Sequence, residues 1–259
     1  MSSKQSSIQS LNDFHKLCEK QTLADNLQFG INSIYLPNPI FTPTPKYCLV
    51  AMEPSLGGMA VEIFQNLINQ GFKNFLYSQG DFILHYCAYN FLCNGSFDYL
   101  ISDLSKGAMK TNLANSERNT RYENWQNIFR QELGFFGNPY LISVGRTVEN
   151  FLISKGFKVE TYVMHYSGQN SIRFTSYYNQ HSEKFLTDNL HIKLKEFAAR
   201  TFQMLEYPPE LQTQILGRLF NKELAPSRKG MFLYYMDKFS ETAAANKSLD
   251  VRQKQLRCF

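Results

Sequence analysis

Hydrophobic positions along the 259-residue chain follow two regimes that change near residue 183. In the first, short apolar runs alternate with helix-spaced patterns. Tyr47 to Met52 is a continuous apolar run stopped by Glu53-Pro54 and Gly57-Gly58, which predicts a buried strand. Helical spacing follows from Met59 to Asn69, and Asp81 to Leu92 is apolar nearly all round, as a buried helix requires. Tyr99 to Leu104 predicts a second strand, Pro139 to Gly145 a third, and Lys158 to His165 a fourth. Between them lie a helix through Trp125, Ile128, Phe129 and Leu133 and another carrying Val148, Phe151 and Leu152. Strand–helix alternation of this kind predicts an α/β fold of three layers, α/β/α, around a four-stranded parallel sheet.

The flanks differ. Ile8 to Cys18 has the spacing of a short amphipathic helix, and Pro37 to Pro45, with four prolines, reads as an extended loop. After residue 183 the pattern is helical throughout, with Leu190, Leu194 and Phe197 at helix spacing and a helix start at Pro208-Pro209-Glu210. The expected organisation is therefore an N-terminal helix and Pro-rich loop (1–45), an α/β core (46–182) and a helical extension packed on the core (183–259).

Composition excludes several classes. With 43% hydrophobic and 15% aromatic residues the chain has ample apolar surface to bury, so it is not disordered. No apolar run approaches membrane-spanning length. The five cysteines are odd in number, lack a C-x-x-C pair and follow a polar start, which points to reduced thiols in a cytoplasmic protein. The net charge of +5 is unevenly placed. Residues 1–192 carry 15 basic and 15 acidic side chains, whereas residues 193–259 carry 12 and 7. A basic segment of this kind suits either a polyanionic partner or an ordinary solvated helical face.

In an open parallel sheet, ligands bind at the carboxyl ends of the strands. There the sequence places Glu53-Pro54-Ser55 after the first strand, Asp103, Ser105 and Lys106 after the second, and His165-Tyr166-Ser167-Gly168 after the fourth. Two carboxylates and a histidine converging on one rim suit hydrolytic chemistry. Each also has a structural alternative. Glu53 suits a loop support or helix cap, Asp103 the N-cap of a helix over Leu104 to Met109, and His165 a satisfied strand-end polar group.

The order of these segments resembles the uracil-DNA glycosylase superfamily. Ala51-Met52-Glu53-Pro54-Ser55-Leu56 is similar to the first family motif, Asn74-Phe75 to the aromatic that stacks on the flipped base, and Tyr99 to Lys106 to the strand whose end reads the base. Tyr140 to Leu152 is similar to the strand–Gly–helix segment, and His165-Tyr166-Ser167-Gly168 to the last motif. The resemblance spans Lys46 to Ser171. Departures are Ala51 and Ser55 in the first motif, Tyr166 in place of proline, and the absence of the cysteines of the iron–sulfur branches, so no cofactor or metal is expected.

The resemblance implies a DNA glycosylase that flips a base from duplex DNA and hydrolyses its glycosidic bond. In that scheme Glu53 and His165 are catalytic. Glu53 supports charge on the sugar and orients water, and His165 donates to base O2. Phe75, with Tyr77 as runner-up, stacks on the base, and Asp103 reads its edge. Family members specific for uracil have Asn at that place. A carboxylate accepts from the exocyclic amine of cytosine and, when protonated, donates to N3, so Asp103 implies a cytosine-type base. A modified cytosine, such as glucosylated 5-hydroxymethylcytosine in phage DNA, would spare the host genome and make the enzyme an antiviral one. Uracil repair, an enzyme of free nucleotides and a non-catalytic nucleic-acid-binding module are the alternatives. DNA contacts are expected from Ser55, Ser167, Gly168, Lys106 and Arg173. Ile172, Arg173 or Phe174 would serve as a wedge, and Lys193, Lys195, Arg200, Arg218, Lys222, Arg228 and Lys229 as phosphate contacts. The enzyme is expected to be monofunctional and monomeric, with Lys106 the candidate for any Schiff base.

Overall fold

The computed structural model describes residues 8–114, 117–184 and 189–256, with side chains described as far as residue 247. Among these residues six strands and nine α-helices form. The strands are β1 (Ile34–Tyr35), β2 (Tyr47–Ala51), β3 (Tyr99–Asp103), β4 (Gly107–Ala108), β5 (Tyr140–Val144) and β6 (Val159–Val163). The helices are α1 (Leu11–Phe29), α2 (Val61–Asn69), α3 (Gln79–Cys87), α4 (Arg118–Phe135), α5 (Arg146–Ser154), α6 (Ser171–His181), α7 (Leu190–Met204), α8 (Pro209–Leu219) and α9 (Pro226–Leu256). Four strands make a wholly parallel sheet in the order β3-β2-β5-β6, and β1 pairs antiparallel with β4 as a separate two-stranded ribbon.

Alternation along each strand sorts residues into two cores. Cys48, Val50, Leu100 and Leu141 face α4 and α5, where they meet Tyr122, Phe129, Val148 and Leu152. Tyr47, Leu49, Ala51, Tyr99, Ile101, Ile142 and Val144 face the larger core, built with Phe82, Phe197, Phe202, Tyr235 and Phe239 from α3, α7 and α9. The sheet is thus covered on both faces, as its continuous apolar strands require. The helices after residue 189 supply part of this core, since Met231, Phe232, Leu233 and Tyr235 of α9 are all buried. No described helix is long and apolar enough to cross a membrane. Cys18, Cys48, Cys87 and Cys93 are free thiols.

Three elements differ from expectation. The first helix runs to Phe29 and ends at Gly30 in the left-handed conformation (φ 61°). Its second half escapes a hydrophobic pattern because its buried face is polar. Asp25 accepts from Trp125 Nε1 at 2.7 Å and Asn124 Nδ2 at 3.0 Å, and Thr22 donates to the Cys18 carbonyl. No helix follows Asp103. Gly107–Ala108 forms β4 instead, with Gly107 packed so closely that an added Cβ would lie 3.0 Å from Ser33 Oγ. The buried apolar helix from Asp81 also changes character, passing from α into a π turn over Ala88–Leu92.

Candidate active site

At the carboxyl ends of β2 and β3 and of the loop after β6 lies a cavity of about 260 Å³. Its walls include Glu53, Ser55, Asn74, Phe75, Tyr77, Asp81, Asp103, His165 and Tyr166. Every catalytic and base-binding residue expected from the sequence therefore borders one space. Among the described residues no group of three or more His, Cys, Asp and Glu side chains is arranged to hold a metal ion.

Asp103 ends β3 on the large-core face and is 1% exposed. It caps no helix. Its Oδ2 accepts from Asn74 Nδ2 at 2.9 Å, and the same amide nitrogen donates to Asn38 Oδ1 at 3.1 Å. A carboxylate only accepts, so the amide orientation of Asn74 is fixed and both its N–H bonds are spent. Burial pushes the Asp103 carboxyl up to about 7, with Glu132 and Glu53 adding and Lys106 and Asn38 opposing. At neutral pH it exists both as acid and as carboxylate.

His165 follows β6 and lies against Tyr166, ring centroids 4.8 Å apart and nearly parallel. The Ser167 backbone N–H donates to Nδ1 at 3.0 Å. That bond makes Nδ1 the acceptor and places the proton of the neutral ring on Nε2. Burial, then the positive charge of Arg118, lower the imidazole to about 4, so the ring is neutral near pH 7. The loop is closed further by Asn170 Nδ2 on the His165 carbonyl at 2.7 Å.

Glu53 is held from α4. Arg118 Nη2 donates to Oε1 at 2.6 Å and Tyr122 Oη to Oε2 at 2.5 Å. Each oxygen keeps a lone pair, so a water can still be oriented there. Phe75 is 5% exposed and adopts φ 57°, a left-handed conformation that is costly for an aromatic residue. The Pro-rich loop anchors this turn, the Pro37 carbonyl accepting from Asn74 N at 2.8 Å. Tyr77 is less free to stack on a ligand, because the Arg218 guanidinium covers its ring at 3.7 Å.

Sequence reasoning missed Asn38, Asn74, Asp81, Arg118 and Tyr122. Of these only Asp81 has a local signature, a capping box in which Ser78 Oγ accepts from Asp81 N and the carboxylate accepts from the Ser78 N–H. Burial raises the Asp81 carboxyl, opposed by hydrogen bonds from Tyr166, Tyr77 and Ser78. Tyr166 fits because residue 80 is glycine: a Cβ there would lie 2.7 Å from the Tyr166 ring.

Three expectations are corrected. Lys106 is not available to DNA or to a sugar aldehyde, being 1% exposed. Its ammonium donates to Ser102 Oγ at 2.7 Å and the Asp103 carbonyl at 2.9 Å, and pairs with Glu132 at 2.8 Å on the opposite sheet face. Phe174 is no wedge: it is fully buried against Tyr234 and Tyr235, whereas Ile172 is 81% exposed and Arg173 is exposed. The basic residues after 193 do not form one face. Arg218, on Tyr77, and Arg228, 3.1 Å from a Cβ at Gly80, lie by the cavity. Arg200 lies instead over Tyr89 and Phe97, near the amino end of β3, and Lys193 and Lys195 precede it on α7. Lys222 is exposed and Lys229 lies 4.0 Å from Glu223. Ser55 is exposed, with Oγ 3.0 Å from Thr111 Oγ1, and Ser167 and Gly168 lead into the turn before α6. No protein-family model matches the chain, and no curated protein matches its sequence.

Proposed function

We propose that the protein is a monofunctional DNA glycosylase acting on a modified cytosine. The observation that carries this reading is the joint lining of one strand-end cavity by Asp103, His165, Glu53 and Phe75. The carboxylic acid of Asp103 donates to cytosine N3 while accepting from the exocyclic amine. Uracil presents O4 where cytosine presents that amine: the ionised Asp103 repels it, only the acid form pairs with it, and Asn74 supplies no second donor because both its N–H bonds are engaged. Neutral His165 offers Nε2–H to base O2 as negative charge develops, and Glu53 faces the positive charge on the sugar. Phe75 stacks on the base. Water attacks the sugar carbon as the glycosidic bond breaks, the base leaves with the bonding electron pair, Glu53 takes the proton that the water gives up, and the base anion is neutralised by a proton from solvent.

Size narrows the substrate. An apolar cavity of about 150 Å³ takes up benzene. On that scale a cavity of about 260 Å³ accommodates about ten non-hydrogen atoms, a pyrimidine with a short substituent. That volume matches a 5-hydroxymethyl substituent, and a glucose on it must project out of the cavity. Defence against phage DNA is the biological role this substrate suggests. Duplexes carrying uracil, cytosine, 5-hydroxymethylcytosine or its glucosylated form, scored for alkali-labile breaks, test the reading. Breaks are expected with the modified cytosines. Robust breakage at uracil would transfer the enzyme to uracil repair, and none at any base would remove the assignment.

A further inference from the structure

Arg118 and Tyr122 stand one turn apart on α4, at the spacing that puts two side chains on the same helix face. Together they grip both oxygens of Glu53, whose side chain is 4% exposed. Arg118 is also the cation whose charge bears on His165. It is therefore linked to both residues placed at the reacting bond, although it precedes neither in any strand-end motif. Its Nε is buried without a hydrogen-bond partner, so its position is set by Glu53 rather than by a second acceptor.

We propose that Arg118 is a positioning residue, which clamps the Glu53 carboxylate against Tyr122 and sets its positive charge on the His165 side of the cavity. This rests on the glycosylase reading. The other titratable groups lining the cavity with His165 are acidic or phenolic: Glu53 after β2, Tyr77 before α3, Asp81 on α3, Asp103 on β3 and Tyr166 beside it. Ionised carboxylates favour an imidazolium, and Arg118 opposes them. An imidazolium would put a second positive charge beside the developing sugar cation. A neutral imidazole with its proton on Nε2 stabilises the leaving base without that repulsion. The Arg118–Tyr122 clamp meanwhile leaves Glu53 one outward geometry in which to hold water.

Two readouts on full-length protein test the role: single-turnover excision across pH on the duplex cleaved best, and NMR titration of the His165 imidazole. In Arg118→Gln the imidazole should titrate about one pH unit higher. The acid limb of excision should move up with it, and the rate at pH 7.5 should fall at least about tenfold. Arg118→Lys should restore the titration but only part of the rate, since an ammonium cannot reproduce the guanidinium fork on a carboxylate. Tyr122→Phe removes the other half of the clamp and should lower the rate without moving the titration. Thermal unfolding of each variant identifies any that fail to fold. Unchanged titration and unchanged rate in folded Arg118→Gln would overturn the proposal while leaving the glycosylase reading intact. A wild-type protein that excises no base would overturn the reading and the role together.

Discussion

Asp103→Asn isolates the buried carboxyl on which the proposed choice of base depends. Burial holds the Asp103 carboxyl at about 7 in the folded protein, against an ordinary value of 3.8. The folded state therefore binds an extra proton between these values, and its stability falls as pH rises through that window. Integrated from pH 5 to pH 8, this one group removes roughly 2–3 kcal/mol. His165 acts with the opposite sign. Its lowered value makes the unfolded state the better proton binder, so the stability it contributes is lost as pH falls from 6.5 towards about 4. Comparing variant with wild type at each pH cancels the histidine. Asparagine at position 103 faces the Asn38 and Asn74 amides with one carbonyl oxygen, at a cost of about 1 kcal/mol that does not depend on pH. Urea unfolding at pH 5 and pH 8 should then show the wild type losing roughly 2–3 kcal/mol more than the variant. Equal pH dependence in the two proteins would refute the assignment of a raised, buried Asp103.

Lys106→Met removes one partner of the buried Lys106–Glu132 pair and should cost about 3–5 kcal/mol in chemical unfolding, while borohydride traps no wild-type protein–DNA adduct. Arg173→Gln with Arg218→Gln should lower the slope of log affinity against log salt by about 0.9 per lost phosphate contact. Lys193→Gln, Lys195→Gln and Arg200→Gln together should leave that slope unchanged. Gly80→Ala drives a methyl into the Tyr166 ring, and overpacking of about 1–3 kcal/mol, read as a lowered Tm, should accompany a displaced His165 and slower excision.

The parallel sheet was legible because β2, β3 and β5 are short, mainly apolar runs ending in a breaker or a polar group, whereas the edge strand β6 breaks its apolar residues with Glu160 and Thr161. Tyr47 to Ala51 and Tyr99 to Asp103 are buried at every position. Their ends then located Glu53, Asp103 and His165. What surrounds these residues was not legible, because it arrives from distant segments. Glu53 meets Tyr122 across 69 residues and Asp103 meets Asn74 across 29. Lys106 misled for a related reason. Its place after a strand suggests a rim, but the chain turns at once into β4 and carries the ammonium under the sheet to Glu132. Charge counted by segment misled in the same way. The excess in residues 193–259 divides between helices whose packing puts Arg218 beside Tyr77 and Arg200 beside Phe97, towards opposite ends of the sheet.

The central claim is that this cavity breaks a glycosidic bond, and the released base is its most direct witness. A duplex with a single 5-hydroxymethylcytosine is incubated with wild-type protein and with His165→Ala, and the small-molecule fraction is analysed by mass spectrometry. The wild type should release free 5-hydroxymethylcytosine, leaving one abasic site per base released, and His165→Ala should do so about a hundred- to a thousand-fold more slowly. No free base from the wild type on this duplex or its glucosylated counterpart, or equal release by His165→Ala, would contradict the claim.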